Sequence, residues 1–369
     1  MKRWTRSAII LITLAACLNA AISLRALALP RYTARYEQKC ALCHVNPSGG
    51  GLRTAYASQK LVPEEIAWTN SKPQLADGLD PRIGKHILVG ADFREVNVGS
   101  DVLADRLDFF QMQSDLYLGF QLSPRASLYY DRAPTNSYEA FALIYPLPVV
   151  YLKAGRFVPA YGWKFDDHTM FVRSELGFSP PLNSDVGFEL GAAPGHGDVQ
   201  IGIVNGNRGS TQDNDPRLAF SGIVDRRFHA GPIAACLGFS GYHHSGLQAN
   251  LDTWGTYGYL VYSRLTWLGE ADLRQQEAAG GRITRALATS NELTALLHQG
   301  LDLKVTYDFF DPDRDLASGA KSRWGGGLAL MPTPNVVLEA LLRRTIFKNG
   351  FAYSGVNFYE TVYQFHVLF

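Results

Sequence analysis

Phe110-Gln111-Met112-Gln113-Ser114-Asp115-Leu116-Tyr117-Leu118-Gly119-Phe120-Gln121-Leu122 separates by parity into two unlike faces. Phe110, Met112, Ser114, Leu116, Leu118, Phe120 and Leu122 stand on one side, and Gln111, Gln113, Asp115, Tyr117, Gly119 and Gln121 on the other. Successive side chains of a strand point to opposite faces, so this stretch offers one face to hydrocarbon and one to water. Met112 falls on the hydrocarbon side in this reading. The same alternation recurs where Leu301, Leu303, Val305, Tyr307 and Phe309 interleave with Asp302, Lys304 and Thr306. It closes the chain, with Thr361, Tyr363, Phe365, Val367 and Phe369 against Gln364, His366 and Leu368.

Dividing the rest at its turn residues gives sixteen such segments: 84-98, 106-122, 126-133, 137-145, 149-157, 185-192, 198-205, 217-228, 233-242, 252-265, 267-275, 286-298, 301-310, 322-331, 335-347 and 357-369. The expected fold is therefore all-β, a 16-stranded antiparallel transmembrane β-barrel over 84-369. The connections support it. Those after even-numbered strands are mostly short and turn-like, as at Ser123-Pro124-Arg125, Gln299-Gly300 and Pro332-Thr333-Pro334. The opposite set includes long ones at 158-184, 206-216, 243-251, 276-285, 311-321 and 348-356, the asymmetry of an outer-membrane barrel with both ends periplasmic. Sixteen strands enclose an aqueous lumen.

Composition agrees. Of 369 residues, 35 are Lys or Arg and 34 Asp or Glu, and the 19% charged share is below the roughly 25% of soluble domains. Near-neutral charge gives no electrostatic basis for nucleic-acid binding. After residue 30 no apolar run reaches the roughly 18 residues of a membrane helix, so helical transport is excluded for the mature chain.

The first 28 residues read as a signal peptide. Lys2, Arg3 and Arg6 precede an apolar run from Ala8 to Ile22, and Ala26-Leu27-Ala28 offers a small-x-small cleavage site. Leu14-Ala15-Ala16-Cys17 resembles a lipobox and gives the competing reading, a lipid on Cys17. Either route places the rest outside the cytoplasm. Beyond the signal remain Cys40, Cys43 and Cys236, an odd set that makes no disulfide framework.

Residues 29-83 form a short α-helical segment built around Lys39-Cys40-Ala41-Leu42-Cys43-His44. C-x-x-C-H is the attachment pattern of c-type haem. Two cysteines three apart on one helical turn reach the two vinyl groups of one porphyrin, and the adjacent His44 meets the iron from the proximal face. A redox dithiol would want a thioredoxin-like context and a zinc half-site a second Cys/His pair; neither is present. In Val45-Asn46-Pro47-Ser48-Gly49-Gly50-Gly51-Leu52-Arg53, Pro47 is placed to stop the helix and to accept the Nδ1 proton of His44 on its carbonyl. The glycines let backbone pass close to the porphyrin, and Arg53 is either a propionate partner or a surface cation.

The 53 residues from Arg31 to Ile83 hold no methionine and no histidine except His44, so a sixth iron ligand must come from elsewhere or be missing. The first strand turns His86 inward near the periplasmic end, which makes it the leading distal candidate. His366 on the last strand and Met331 at a turn are the alternatives, beside an open site; a solvated lumen histidine is the plain reading of His86. The segment from Gly155 to Met170 mixes aromatics, charges and a potential ligand pair, and either folds into the lumen, receives an extracellular donor, or forms a surface loop. Its Gly-Arg-Phe-x-Pro-x-Tyr-Gly start resembles a motif of phosphate-selective porins. His243-His244 read as loop histidines and Cys236 as a small strand residue.

A signal peptide, one C-x-x-C-H and a barrel of about sixteen strands resemble the fused outer-membrane monohaem cytochrome c-porins, a family that includes outer-membrane iron-oxidising cytochromes. Cys40, Cys43, His44 and the terminal Phe369 carry that resemblance, as haem attachment, proximal ligand and barrel insertion signal. It implies one covalent haem c, electron transport across the outer membrane and a periplasmic electron carrier as partner. The Asn46 to Gly51 run departs from the iron oxidases, which leaves the iron substrate open. The other reading is a diffusion porin whose haem segment plugs, gates or senses; peroxidase activity is a third, needing an open iron and a distal polar group. Outer-membrane lipid surrounds the barrel in every case, and homo-oligomers are common among porins.

Overall fold

The computed structural model describes residues 30–36, 39–68, 79–101, 107–133, 137–179, 182–210, 212–213, 215–247, 249–348 and 357–369. The stretch read as a signal peptide, including Cys17, lies outside the described residues. Sixteen antiparallel strands follow the N-terminal segment: β1 Ile87–Ser100, β2 Leu107–Ser123, β3 Ala126–Arg132, β4 Tyr138–Leu147, β5 Val150–Phe157, β6 Asp185–Ala192, β7 Gly197–Val204, β8 Ala219–Ala230, β9 Ile233–Ser245, β10 Ala249–Tyr262, β11 Leu265–Ala278, β12 Ile283–His298, β13 Leu301–Asp311, β14 Lys321–Thr333, β15 Val336–Phe347 and β16 Phe358–Leu368. Each pairs with the next in sequence. β16 returns to β1, with Glu360 opposite Ser100 and Leu368 opposite Asp92, so the sheet closes and leaves no edge.

The alternation read from the sequence is the alternation of the wall. On β13, Asp302, Lys304, Thr306 and Asp308 are buried inside, while Leu303 and Val305 are exposed on the outer surface. Leu116, Leu118 and Phe120 of β2, Phe188 and Leu190 of β6, and Tyr363 and Phe365 of β16 continue that apolar exterior. Several inner charges are paired: Lys304 Nζ lies 3.1 Å from Glu292 and 3.2 Å from Glu339, and Arg323 reaches Asp308 at 2.7 Å.

Three expectations change. A bulge opposite the Arg94–Glu95 step makes Met112 an extra residue of β2, so the parity switches there. Phe110 and Met112 therefore line the lumen with Val96 and Val98 instead of facing outward, and Met112 packs on Val96, Leu341 and Val362. β9, β11 and β12 are longer than the turn signals suggested and β10 starts three residues earlier, so their loops shrink to about residues 246–248 and 279–282, and His243 and His244 belong to β9. The chain before β1 makes a two-residue pairing, Arg82–Ile83 with Leu88 and Ile87, which puts His86 in a turn and off the strand's inward row.

Candidate functional site

The N-terminal segment sits inside the barrel, at the end that carries the short turns. Helices α1 Pro30–Tyr36 and α2 Cys40–Cys43 and a π-type helix Ala57–Ile66 form it. Arg35 of α1 reaches Asp302 of β13 at 2.7 Å, and Arg31 lies 3.8 Å from Glu292 of β12. Lys39 donates to the Ala193 carbonyl on the far wall, and Arg53 Nη1 to the Pro334 carbonyl at 2.9 Å. The π-type helix buries Leu61, Val62 and Ile66 with Cys43 against Met331 and Val337 of the wall. So short a segment cannot enclose a core of its own; here the barrel supplies the other half.

Residues 44–53 leave and re-enter this segment as a closed loop. Val45 N donates to Leu52 O at 2.9 Å, Thr54 N to Cys43 O at 2.8 Å, and His44 bridges Arg53. Asn46 Oδ1 accepts from Ser48 Oγ at 2.8 Å, the local bond that Asn-Pro-Ser favours. Gly49, Gly50 and Gly51 all have φ between 67° and 86°, a run only glycine adopts without strain. At the tip, buried Lys153 of β5 holds both Ser48 Oγ and Glu189, the latter at 2.7 Å. Leu52 is fully buried against the glycine surfaces of Gly90 and Gly119, where an added Cβ would meet its methyls at 2.7 and 3.0 Å.

One cavity gathers Cys40, Cys43, His44, Pro47 and Arg53. His44 Nδ1 lies 3.2 Å from the Gly51 carbonyl, so Gly51, not Pro47, is the acceptor that orients the ring; the three glycines bend that carbonyl back over the imidazole. His44 Nε2 is buried and has no hydrogen-bond partner among the described residues. Burial, against the opposing bond to Gly51 and with the nearby Arg53, moves the imidazole down to about 4, so it is neutral at ordinary pH. Burial also pushes the thiols up, Cys40 to about 11 and Cys43 to about 12, and no disulfide joins them. A neutral imidazole with one nitrogen anchored on a carbonyl and the other unsatisfied is the donor arrangement of a metal-ligating histidine. With two thiols on the same cavity, these residues fit a c-type haem.

The structure does not bring His86 there. It is exposed in the turn before β1, its Nδ1 2.9 Å from the Gln121 carbonyl, and it is not on the cavity wall. Met331 and His366 do line the cavity. His366 Nε2 is taken by Asp92 at 2.7 Å. The loop after β5 folds into the lumen and buries Tyr161, Trp163, Phe165, Met170, Phe171 and Val172. Trp163, Asp166 and His168 face the cavity, and Lys164 donates to the Gly49 carbonyl at 3.1 Å. The polar run Asp166 to Thr169 was the sequence signal for this contribution; the seat of Leu52 on two glycines, each remote in sequence, left none.

The barrel has the porin fold. Among solved structures it is similar to the anion-selective porin from Comamonas acidovorans, with TM-score 0.58 and 12% identity over 77% of this chain and 99% of that one. OprB from Pseudomonas putida gives TM-score 0.58 and 8% identity, covering 77% and 94%. A trimer form of OmpT from Vibrio cholerae gives 0.57 and 9%, covering 77% and 99%. No family model matches the sequence, and no curated protein matches it. At these identities the likeness carries the porin-like barrel and nothing of its contents.

Proposed function

We propose that the chain is an outer-membrane barrel that holds one covalent haem c in its lumen and carries electrons between a donor reached from the long-loop side and a periplasmic carrier on the short-turn side. The observation that carries this reading is His44 Nε2, buried and unpartnered beside Cys40 and Cys43, with Nδ1 fixed on Gly51. Bound there, haem would supply one-electron chemistry. The chain's own residues do the rest. Cys40 and Cys43 would tether the porphyrin, His44 presents a neutral imidazole, and Arg53 offers a half-buried cation at the cavity wall. The wall and the inserted loop keep bulk water from the site, and the apolar exterior fits outer-membrane lipid.

The second reading, a diffusion porin whose inner segment plugs or gates it, is the one the structural neighbours favour, since they include an anion-selective porin of the same fold. Assembly into homo-oligomers belongs with it, as one neighbour is a trimer form. The two readings separate in one preparation. Covalent haem retained on a denaturing gel, together with silence in planar-bilayer conductance, supports the electron carrier. Absence of haem with steady ion conductance would overturn it in favour of the porin.

A further inference from the structure

The long loop after β5 contributes one histidine to the cavity, and the structure holds that residue with unusual care. His168 lines the cavity shared by Cys40, Cys43 and His44, and it also lines a second cavity on the long-loop side, with Gln111, Met112, Lys321 and Glu360. It stands in the partition between the two. Its chain neighbours are clamped by arginines from three separate strands. Arg94 of β1 donates to the Asp166 carbonyl at 2.9 Å and to its carboxylate at 3.1 Å. Arg343 of β15 pairs with Asp167 and donates to Thr169 Oγ1 at 3.1 Å. Arg323 of β14 donates to the Thr169 carbonyl at 2.8 Å. A loop residue is normally the most mobile part of a barrel, yet here both flanks are fixed to the wall.

The imidazole itself is left uncommitted. Among the described residues no hydrogen bond engages either ring nitrogen of His168; His366 is held by Asp92 through Nε2, with a buried Nδ1 that has no partner among those residues, and His86 lies outside the cavity. Burial, with Arg94 and Arg173 next, lowers its affinity for a proton to about 3, so the ring is neutral. Met170, the other potential ligand of this loop, is fully buried in the core and does not line the cavity.

From this placement, which rests on the haem reading above, we propose that His168 is the second protein residue that would ligate the haem iron, presented by the inserted loop from the long-loop side. The loop then joins the long-loop vestibule to the iron through a single residue, and the arginine clamps are what position it.

The test is the optical and electron paramagnetic resonance spectrum of the detergent-purified full chain, with folding checked by heat-modifiable gel mobility. Wild type should be low-spin. His168→Gly should turn it high-spin, and added imidazole should restore the low-spin form, which repair of a merely structural defect would not do. His168→Met should stay low-spin with a raised midpoint potential, and it serves if the glycine variant fails to fold. A low-spin His168→Gly protein, or a high-spin wild type, overturns the assignment while leaving the haem in place. Conversion by His366→Ala or Met331→Ala instead would move it to those residues. Wild type without covalent haem would overturn the underlying reading itself, and this inference with it.

Discussion

Leu52→Ala tests whether the inner segment is held by packing into the barrel wall. Leu52 is fully buried, and its methyls lie against Gly90 of β1 and Gly119 of β2. Truncating a buried leucine costs about 2–5 kcal/mol, and the rigid strands on either side limit collapse of the void, so about 3 kcal/mol is a fair central figure. At about 1.4 kcal/mol per decade, opening of the 44–53 loop should become roughly a hundredfold more frequent. Hydrogen exchange reads this directly. The amides of Val45 and Thr54, bonded to Leu52 O and Cys43 O, should exchange faster by that factor, while amides of the β11–β12 ladder keep their wild-type rates. Gly119→Ala supplies the converse. Alone, its Cβ crowds Leu52 and opens the loop; combined with Leu52→Ala it fills the vacated space, so the pair costs less than the sum. Unchanged loop amides in Leu52→Ala, or equal acceleration in the ladder, would refute the idea that this contact seats the segment independently of the barrel.

Other consequences are as direct. Lys153→Met leaves Glu189, which is completely buried, without its cation, and should cost about 3–5 kcal/mol in urea unfolding; Lys153→Met with Glu189→Gln should recover most of that. On a background without native cysteines, Met112→Cys should react with a charged, membrane-impermeant maleimide added to the lumen side, and Leu116→Cys, 69% exposed on the outer face, should be protected by lipid. In the haem-free Cys40→Ala/Cys43→Ala protein, His44 and His168 have proton affinities depressed by burial to about 4 and about 3, against about 6.5 when unfolded. The unfolded segment then binds more protons, so stability is full above pH 6.5 and falls as pH drops through that window; His44→Gln with His168→Gln should flatten the exchange-versus-pH curve, and a slope that survives would sink the attribution.

The barrel was legible because its signal is repeated sixteen times and each strand needs only period two and a turn. Where the reading failed, a single residue broke the period. At Met112 the bulge adds one residue opposite Arg94–Glu95, and every side chain beyond it changes face, which no parity count on one strand can detect. At His86 the error had the opposite origin: parity was extended three residues past the start of β1 into a turn. Cys40, Cys43 and His44 stood out because the C-x-x-C-H spacing is itself the signal, and the structure brings them to one cavity. Leu52 and Lys153 gave no such signal, since they join the site only through the closure of the sheet, whereas His168 lay in the Gly155 to Met170 segment whose mixed aromatics and charges already offered an inward fold.

That closure also explains why a segment with so little apolar content takes a defined shape. Among its residues Leu52, Leu61, Val62 and Ile66 are buried, and their contacts are Gly90, Gly119, Met331 and Val337 of the wall. Its cations are matched in the same way, Arg31 to Glu292, Arg35 to Asp302 and Lys39 to Asp198. A water-filled channel needs none of these acids to be satisfied by its own N-terminus. Here Glu292 and Asp302 are nearly inaccessible and answer to Arg31, Arg35 and Lys304. While the segment is in place these carboxylates are cut off from water, so taking away Arg31 and Arg35 without the backbone that covers the acids costs several kcal/mol for each one stranded. The short-turn half of the lumen is therefore complementary to its occupant in shape and in charge, as a folded core is, and the same match fixes His44 at a depth that the inserted loop after β5 reaches from the other side.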